Sequence, residues 1–253
     1  MIYYASRHSR GFSLVELAVV MAIVGLVLGS AMLTLSAQQD TRRFNETQQQ
    51  LEQARELLIA FAIKNRRMPC PATLAAGTGD EAPVGGGTCT SYYGGFLPGR
   101  AIGFQSVDSA GYAIDAWNNR IRYALSSLTW GTSGGFSTAH VSGNAAVQWS
   151  LSNTPGDLVI CSTSPLVITA TACDALTNIT NVGVVSAIVF STGKNGATGG
   201  TGTNEARNLD SNQLFVYRQQ DSIETATGEF DDQMIWIPAS LLYSRMISAG
   251  ILP

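Results

Sequence analysis

Two sets of side chains in this 253-residue chain have types and positions that could do chemistry. The first is Glu16, the one acid in the opening turn of an apolar stretch whose residues 17–37 carry no charge. A carboxylate at depth in a membrane helix costs about 2.5–3.5 kcal/mol, less near the interface, and is by default functional. Its natural chemistry is to neutralise a cation. The second set is Cys70, Cys89, Cys161 and Cys173, none of them in the CxxC spacing of a zinc site. Four cysteines allow three disulfide connectivities, or can remain buried thiols. Pairing Cys70 with Cys89 and Cys161 with Cys173 is favoured, because each pair lies close in sequence and brackets a loop. Closing loops of this size contributes about 3 kcal/mol each in the chain-entropy description. Hydrolytic chemistry has little support. The histidines are His8 and His140, and no HExxH or phosphate loop is present. The chain reads as a non-enzyme.

The elements that must position these groups begin with a helix. At about 1.5 Å rise per residue, the uncharged run is long enough to cross a hydrocarbon core of about 30 Å. Arg7, His8 and Arg10 precede it with no acid among residues 1–11, a flank that stays cytoplasmic while the rest is exported. A cleaved secretory signal ending near Leu35-Ser36-Ala37 and a plain signal anchor are competing readings, but neither gives Glu16 a purpose. Beyond the run, residues 38–67 read as an amphipathic helix. Phe44, Leu51, Leu58 and Phe61 recur at near-heptad spacing, joined by Ala54, Leu57 and Ala62. Pro69 and Pro71 stop it. The predicted rod from Phe12 to about Asn65 is roughly 80 Å long.

A short basic leader ending in Gly11, then Phe12, Glu16 as the fifth residue counted from Phe12, and an uninterrupted apolar helix together resemble the class III signal of type IV pilin-like proteins. That group comprises type IV pilins, minor pilins and the pseudopilins of type II secretion. The resemblance implies that prepilin peptidase cuts after Gly11 and methylates the new terminal amine of Phe12. It implies that Glu16 pairs with the terminal amine of a neighbouring subunit as helices bundle into a filament. The implied partners are that peptidase, other pilin or pseudopilin subunits, an inner-membrane assembly platform and the inner membrane itself. The implied location is the bacterial inner membrane, single-pass with the N-terminus cytoplasmic and the head periplasmic, and then the pilus or pseudopilus. The resulting segments are a leader (1–11), a transmembrane and filament-core helix (12–37), a spine helix (38–67) and a β-rich head (68–253). The expected fold class is α+β, a long N-terminal helix packed against an antiparallel β-sheet head. Unlike many major pilins, the chain has no proline between Phe12 and Arg67.

The head is Gly-rich and poor in charge. Without Arg7 and Arg10 the 15 basic groups fall to 13 against 18 acidic, for a net charge of −5. A nucleic-acid partner is not expected on that balance, which leaves only a local basic patch for such contact. GYAIDAW and RIRYALSSL flank Asn118-Asn119 as a hairpin, and AVQWSLS, DLVICST, PLVITA, VGVVSAIVFST and QLFVYRQ read as further strands. PASLLYSRMISAGILP reads as a short helix with Pro238 near its start and Gly250 as a left-handed stop.

Two strings carry a weaker likeness to pseudopilins. DAWNNRIRY (115–123) is similar to their DPWGNxYxY hairpin, with Ala116 and Asn118 in place of Pro and Gly. FSTGKNGATGGTGTNEARNLD (190–210) is similar to the Gly-rich loop that in major pseudopilins holds calcium. That likeness implies oxygen donors from Asn195, Asn204, Glu205 and Asp210, since calcium takes six to eight oxygens. Lys194 stands where an acid would help, so an unliganded, flexible surface loop with no cofactor is the favoured reading and calcium the alternative. Asp231-Asp232 reads as a solvated turn into a strand, and as a second ligand pair in the alternative. The remaining functional alternative is a membrane-tethered adhesin-like binder using Trp130, Trp149 and tyrosines. The large head favours a minor subunit.

Overall fold

The computed structural model describes residues 13–127, 135–141, 156–165, 171–174, 176–196, 202–220 and 228–252, with the side chains of residues 28–36 excepted. Gly11, Phe12, Trp130, Trp149, the AVQWSLS segment and most of PLVITA lie outside the described residues. The chain divides into two compact units, residues 1–43 and 44–253.

One helix, α1 (Leu14–Asn65), contributes to both units. In the first unit Ser13 starts it, accepting the Leu17 N–H on its carbonyl at 3.1 Å and the Val15 N–H on Oγ at 3.2 Å. Among the described residues no helix is long and apolar enough to cross a membrane.

In the second unit α1 buries one seam, Thr47, Leu51, Ala54, Leu58 and Ala62, at alternating steps of four and three or four residues. Phe44, Leu57 and Phe61, expected in the stripe, sit at its margins and are half-buried. The seam joins a single core with Tyr123, Leu125, Val189 and Ile237 from strands, and Leu242 and Met246 from a later helix. α1 ends where Arg66 takes a left-handed conformation, φ +58°. The next residue is then turned inward: Arg67 makes a two-pronged ion pair with Glu81, and both are buried. Glu81 also accepts the N–H groups of Cys70 and Gly85, each at 3.1 Å. Burial alone raises the Glu81 pKa, but Arg67 and these donors outweigh it and hold the carboxyl below its ordinary value.

The head's main sheet is antiparallel, in the order β1 (Gly95–Phe96), β2 (Arg122–Leu125), β4 (Val185–Ser191), β6 (Gln233–Pro238). All seven residues of β4 are buried, as a central strand covered on both faces must be. A short helix α2 (Gly99–Ile102) follows β1. A second, two-stranded sheet pairs β3 (Val159–Cys161) with β5 (Leu214–Val216) in parallel, so the sheet content is not purely antiparallel. Helix α3 (Thr203–Asn208) lies between β4 and β5, and α4 (Ala239–Ser248) follows β6. Gly250, at φ +71°, ends α4 with its N–H on the Ile247 carbonyl at 2.9 Å. Disulfides join Cys70 to Cys89 and Cys161 to Cys173.

The expected hairpin forms in shortened shape: Ile114 pairs antiparallel with Arg120, and the Ile121 N–H donates to the Ala113 carbonyl at 2.9 Å, around a tight turn. Asn118 takes φ +68° as anticipated. GYAIDAW contributes only isolated bridges at Ala113 and Ile114, and within the turn the Asp115 carboxylate captures the N–H groups of Trp117 at 2.9 Å and Asn119 at 2.8 Å. An aspartate that accepts from its own turn competes with a ladder, and β2 pairs with β1 and β4 instead.

Arg67→Ala is expected to lower unfolding free energy by about 3–5 kcal/mol, because it strands the buried Glu81 charge. Urea unfolding of the detergent-solubilised chain measures this. A loss below about 1 kcal/mol contradicts the role given to the pair.

Candidate functional site

Two places could do chemistry. In the first unit Glu16 is exposed in the first turn of α1. Around it every large apolar side chain described from Leu14 to Val27 is at least 44% exposed, with Leu14 at 87% and Leu26 at 76%. These residues point to all sides of the helix, and a helix that is apolar all round needs a surrounding of lipid or protein. Among such neighbours Glu16 is the group able to hold a cation.

The second place is inside the head. Glu205 of α3 and Asp231 and Asp232, which lead into β6, present carboxylate oxygens within 4.8 Å of one another, and all three are buried. The solvated turn expected at Asp231-Asp232 is therefore corrected: the two residues are 4% and 5% exposed. Strand β6 pairs with the central β4 up to Gln233, and this draws the preceding acids under α3. The loop expected to lie flexibly on the surface is corrected in part too, since residues 203–208 form α3 with Asn204, Glu205, Arg207 and Asn208 buried.

The remaining anticipated donors separate. Asn195 is in the site: its side-chain amide donates to both Glu205 oxygens, at 3.1 and 3.2 Å, and its N–H donates to Asp231 Oδ2 at 3.0 Å. Asn204 Oδ1 is used elsewhere, accepting the Ser164 N–H at 2.7 Å. Asp210 is drawn away by Arg207, with Nη1 to Oδ2 at 2.8 Å, and takes the Asn212 N–H at 2.9 Å. Lys194 is exposed, and its backbone N–H works against the rise of the Asp231 pKa.

Three carboxylates in one buried place repel one another. Burial pushes Asp231 up to about 7, against the Asn195 N–H and with the charge of Glu205 adding to the rise. Burial raises Asp232 further; Asn208, whose amide donates to it at 2.7 Å, and Arg122 only partly oppose this. Asp231 Oδ1 is buried and accepts no hydrogen bond. Gly193 packs so closely that a Cβ on it would lie 2.4 Å from that oxygen. A hard cation with oxygen ligands suits this donor set. Asn119 and Ser191, which reach this loop by hydrogen bonds, and Asp115, which holds Ser191, carried no sequence signal of that role beyond the DAWNNRIRY string.

Residues 6–32 match the prokaryotic N-terminal methylation motif, the class III signal of type IV pilins and pseudopilins. The motif is that of a pilin-like precursor, and it implies processing by prepilin peptidase and assembly with other pilin subunits. No curated protein and no solved structure matches the chain significantly.

Asp231, Asp232 and Asp115 are all raised in the folded protein. A raised carboxyl holds a proton that the unfolded chain has released, so its contribution falls as pH rises from about 4 toward the folded pKa. The lowered Glu81 and Asp108 act below that window. The cation-free protein should thus melt lower at pH 8 than at pH 5. Asp231→Asn should flatten the difference in scanning calorimetry, and an unchanged slope refutes the assignment.

Proposed function

We propose that the chain is a structural, minor subunit of a type IV pilus or type II secretion pseudopilus, with a pilin-like fold. Its leader is cut after Gly11, Phe12 becomes the methylated terminus, and residues 12–37 anchor it in the inner membrane with the head in the periplasm. The observation that carries this reading is the methylation motif over residues 6–32, lying on a helix whose described apolar residues face solvent on every side. In the filament those faces meet the helices of neighbouring subunits. Glu16 then pairs with the terminal amine of an adjacent chain. In low dielectric such a pair sets register more than it adds stability, because an unpaired partner is penalised heavily. The size of the head supports a minor subunit, since large heads hinder the side-by-side packing of many copies.

The pseudopilin likeness brings calcium into consideration, and the head's donors fit it: Glu205, Asp231 and Asp232 would hold the ion, with Asn195 alongside. The ion would offset their mutual repulsion. Asp210 is not proposed as a ligand.

Mass spectrometry of the mature chain should find Phe12 as the terminal residue with one added methyl. Glu16→Ala should be processed normally yet be missing from sheared filaments or from the secretion phenotype, whereas Gly11→Trp should accumulate as the precursor. Normal assembly of Glu16→Ala would point to a tethered binder and end this proposal.

A further inference from the structure

We propose that Ser191 and Asp115 are positioning residues for the cation site, acting through the backbone of residues 193–195. The inference rests on the calcium reading above and extends it to residues outside the carboxylate cluster.

Asp231 depends on the 193–195 segment from two sides. The Asn195 N–H donates to its Oδ2 at 3.0 Å, and Gly193 sits against Oδ1 so tightly that no side chain would fit between them. Gly193 is at φ +63°, a conformation that side-chain-bearing residues rarely adopt. A segment this close to a ligand sets where the carboxylate can point. What holds the segment is therefore part of the site.

It is held from the 115–119 turn. Ser191 Oγ, at the end of β4, donates to Asp115 Oδ2 and accepts the Gly193 N–H at 3.0 Å. The Asn119 side-chain amide donates to the Gly193 carbonyl at 2.6 Å. Asp115 is fixed in turn by the N–H groups of Trp117 and Asn119 on its Oδ1. Both backbone polar groups of Gly193 are thus tied to side chains belonging to, or held by, one turn. Ser191 is fully buried and Asp115 is 4% exposed, so neither contact can be exchanged for water without rearrangement. The path runs from turn to Ser191, to Gly193, to Asn195 and to Asp231. Partners that orient metal ligands in this way typically account for 10–100-fold in metal affinity.

Ser191→Ala breaks the path without changing charge, and Asn119→Ala breaks it at Gly193 should the first variant not fold. Asp157→Asn is the control. It disturbs another buried carboxylate, one that holds Ser127 and Tyr93 and has no contact with the 193–195 segment. Calcium chloride is titrated calorimetrically into the full chain, purified in detergent and stripped with a chelator, with melting temperature followed in parallel. The expected result is affinity about tenfold weaker in Ser191→Ala or Asn119→Ala and within about twofold of the parent in Asp157→Asn. Parent protein that gives no heat and no rise in melting temperature removes the calcium reading itself, and this inference with it. A parent that binds while Ser191→Ala and Asn119→Ala bind equally well overturns the positioning role alone. So does an equal loss in Asp157→Asn, which would show general loosening of the head.

Discussion

The head depends on one seam of small and branched side chains along α1. Thr47, Leu51, Ala54, Leu58 and Ala62 have no exposed surface, and they share a core with Tyr123, Val189, Ile237 and Met246. Alanine at two of the five positions lets the helix approach the sheet closely, while the leucines fill the space between. A helix gains most of its stability from such packing and little from propensity. The sheet order β1-β2-β4-β6 follows, since β4 must lie centrally to present Ala187 and Val189 to the seam and Ile188 and Phe190 to the opposite face.

Around that seam the loops are tied by buried carboxylates, each with its own donors. Glu81 gathers Arg67 and two backbone N–H groups beside the Cys70–Cys89 disulfide. Asp115 gathers its own turn and Ser191. Asp157 gathers Tyr93 and Ser127. Burying a charge is tolerable only when it is hydrogen-bonded or paired. Glu205, Asp231 and Asp232 depart from this pattern, because three buried carboxylates lie within 4.8 Å of one another and Asp231 Oδ1 accepts no hydrogen bond. That departure, in a head otherwise economical with charge, is what marks the cluster as a site.

Much of the architecture was legible from pattern. The apolar run, the heptad-like stripe and the prolines after it describe α1, and Pro238 with Gly250 frames α4. The long apolar string before Ser191 reads as a strand because nothing in it is polar enough to face water. The parallel β3–β5 pair was not legible, since three-residue strands leave no periodicity to read and their partners lie far apart in sequence. Nor was the failure of GYAIDAW to form a strand. Alternation of apolar residues there is genuine, but only Ala113 and Ile114 pair, and the Asp115 carboxylate organises the turn that follows.

The site divides along the same line. By itself the sequence determined the methylation motif over residues 6–32, because such a motif lies in fixed local spacing that needs no tertiary partner. It also supplied Asn195 and Glu205, through a loop likeness. Only the tertiary structure decided that Asp231 and Asp232 join them and that Asp210 does not. The reason is physical: residues 26 apart, such as Glu205 and Asp231, meet only because β6 pairs with β4 and α3 lies over the strand's entry. An arginine three residues away is enough to draw Asp210 out of the cluster.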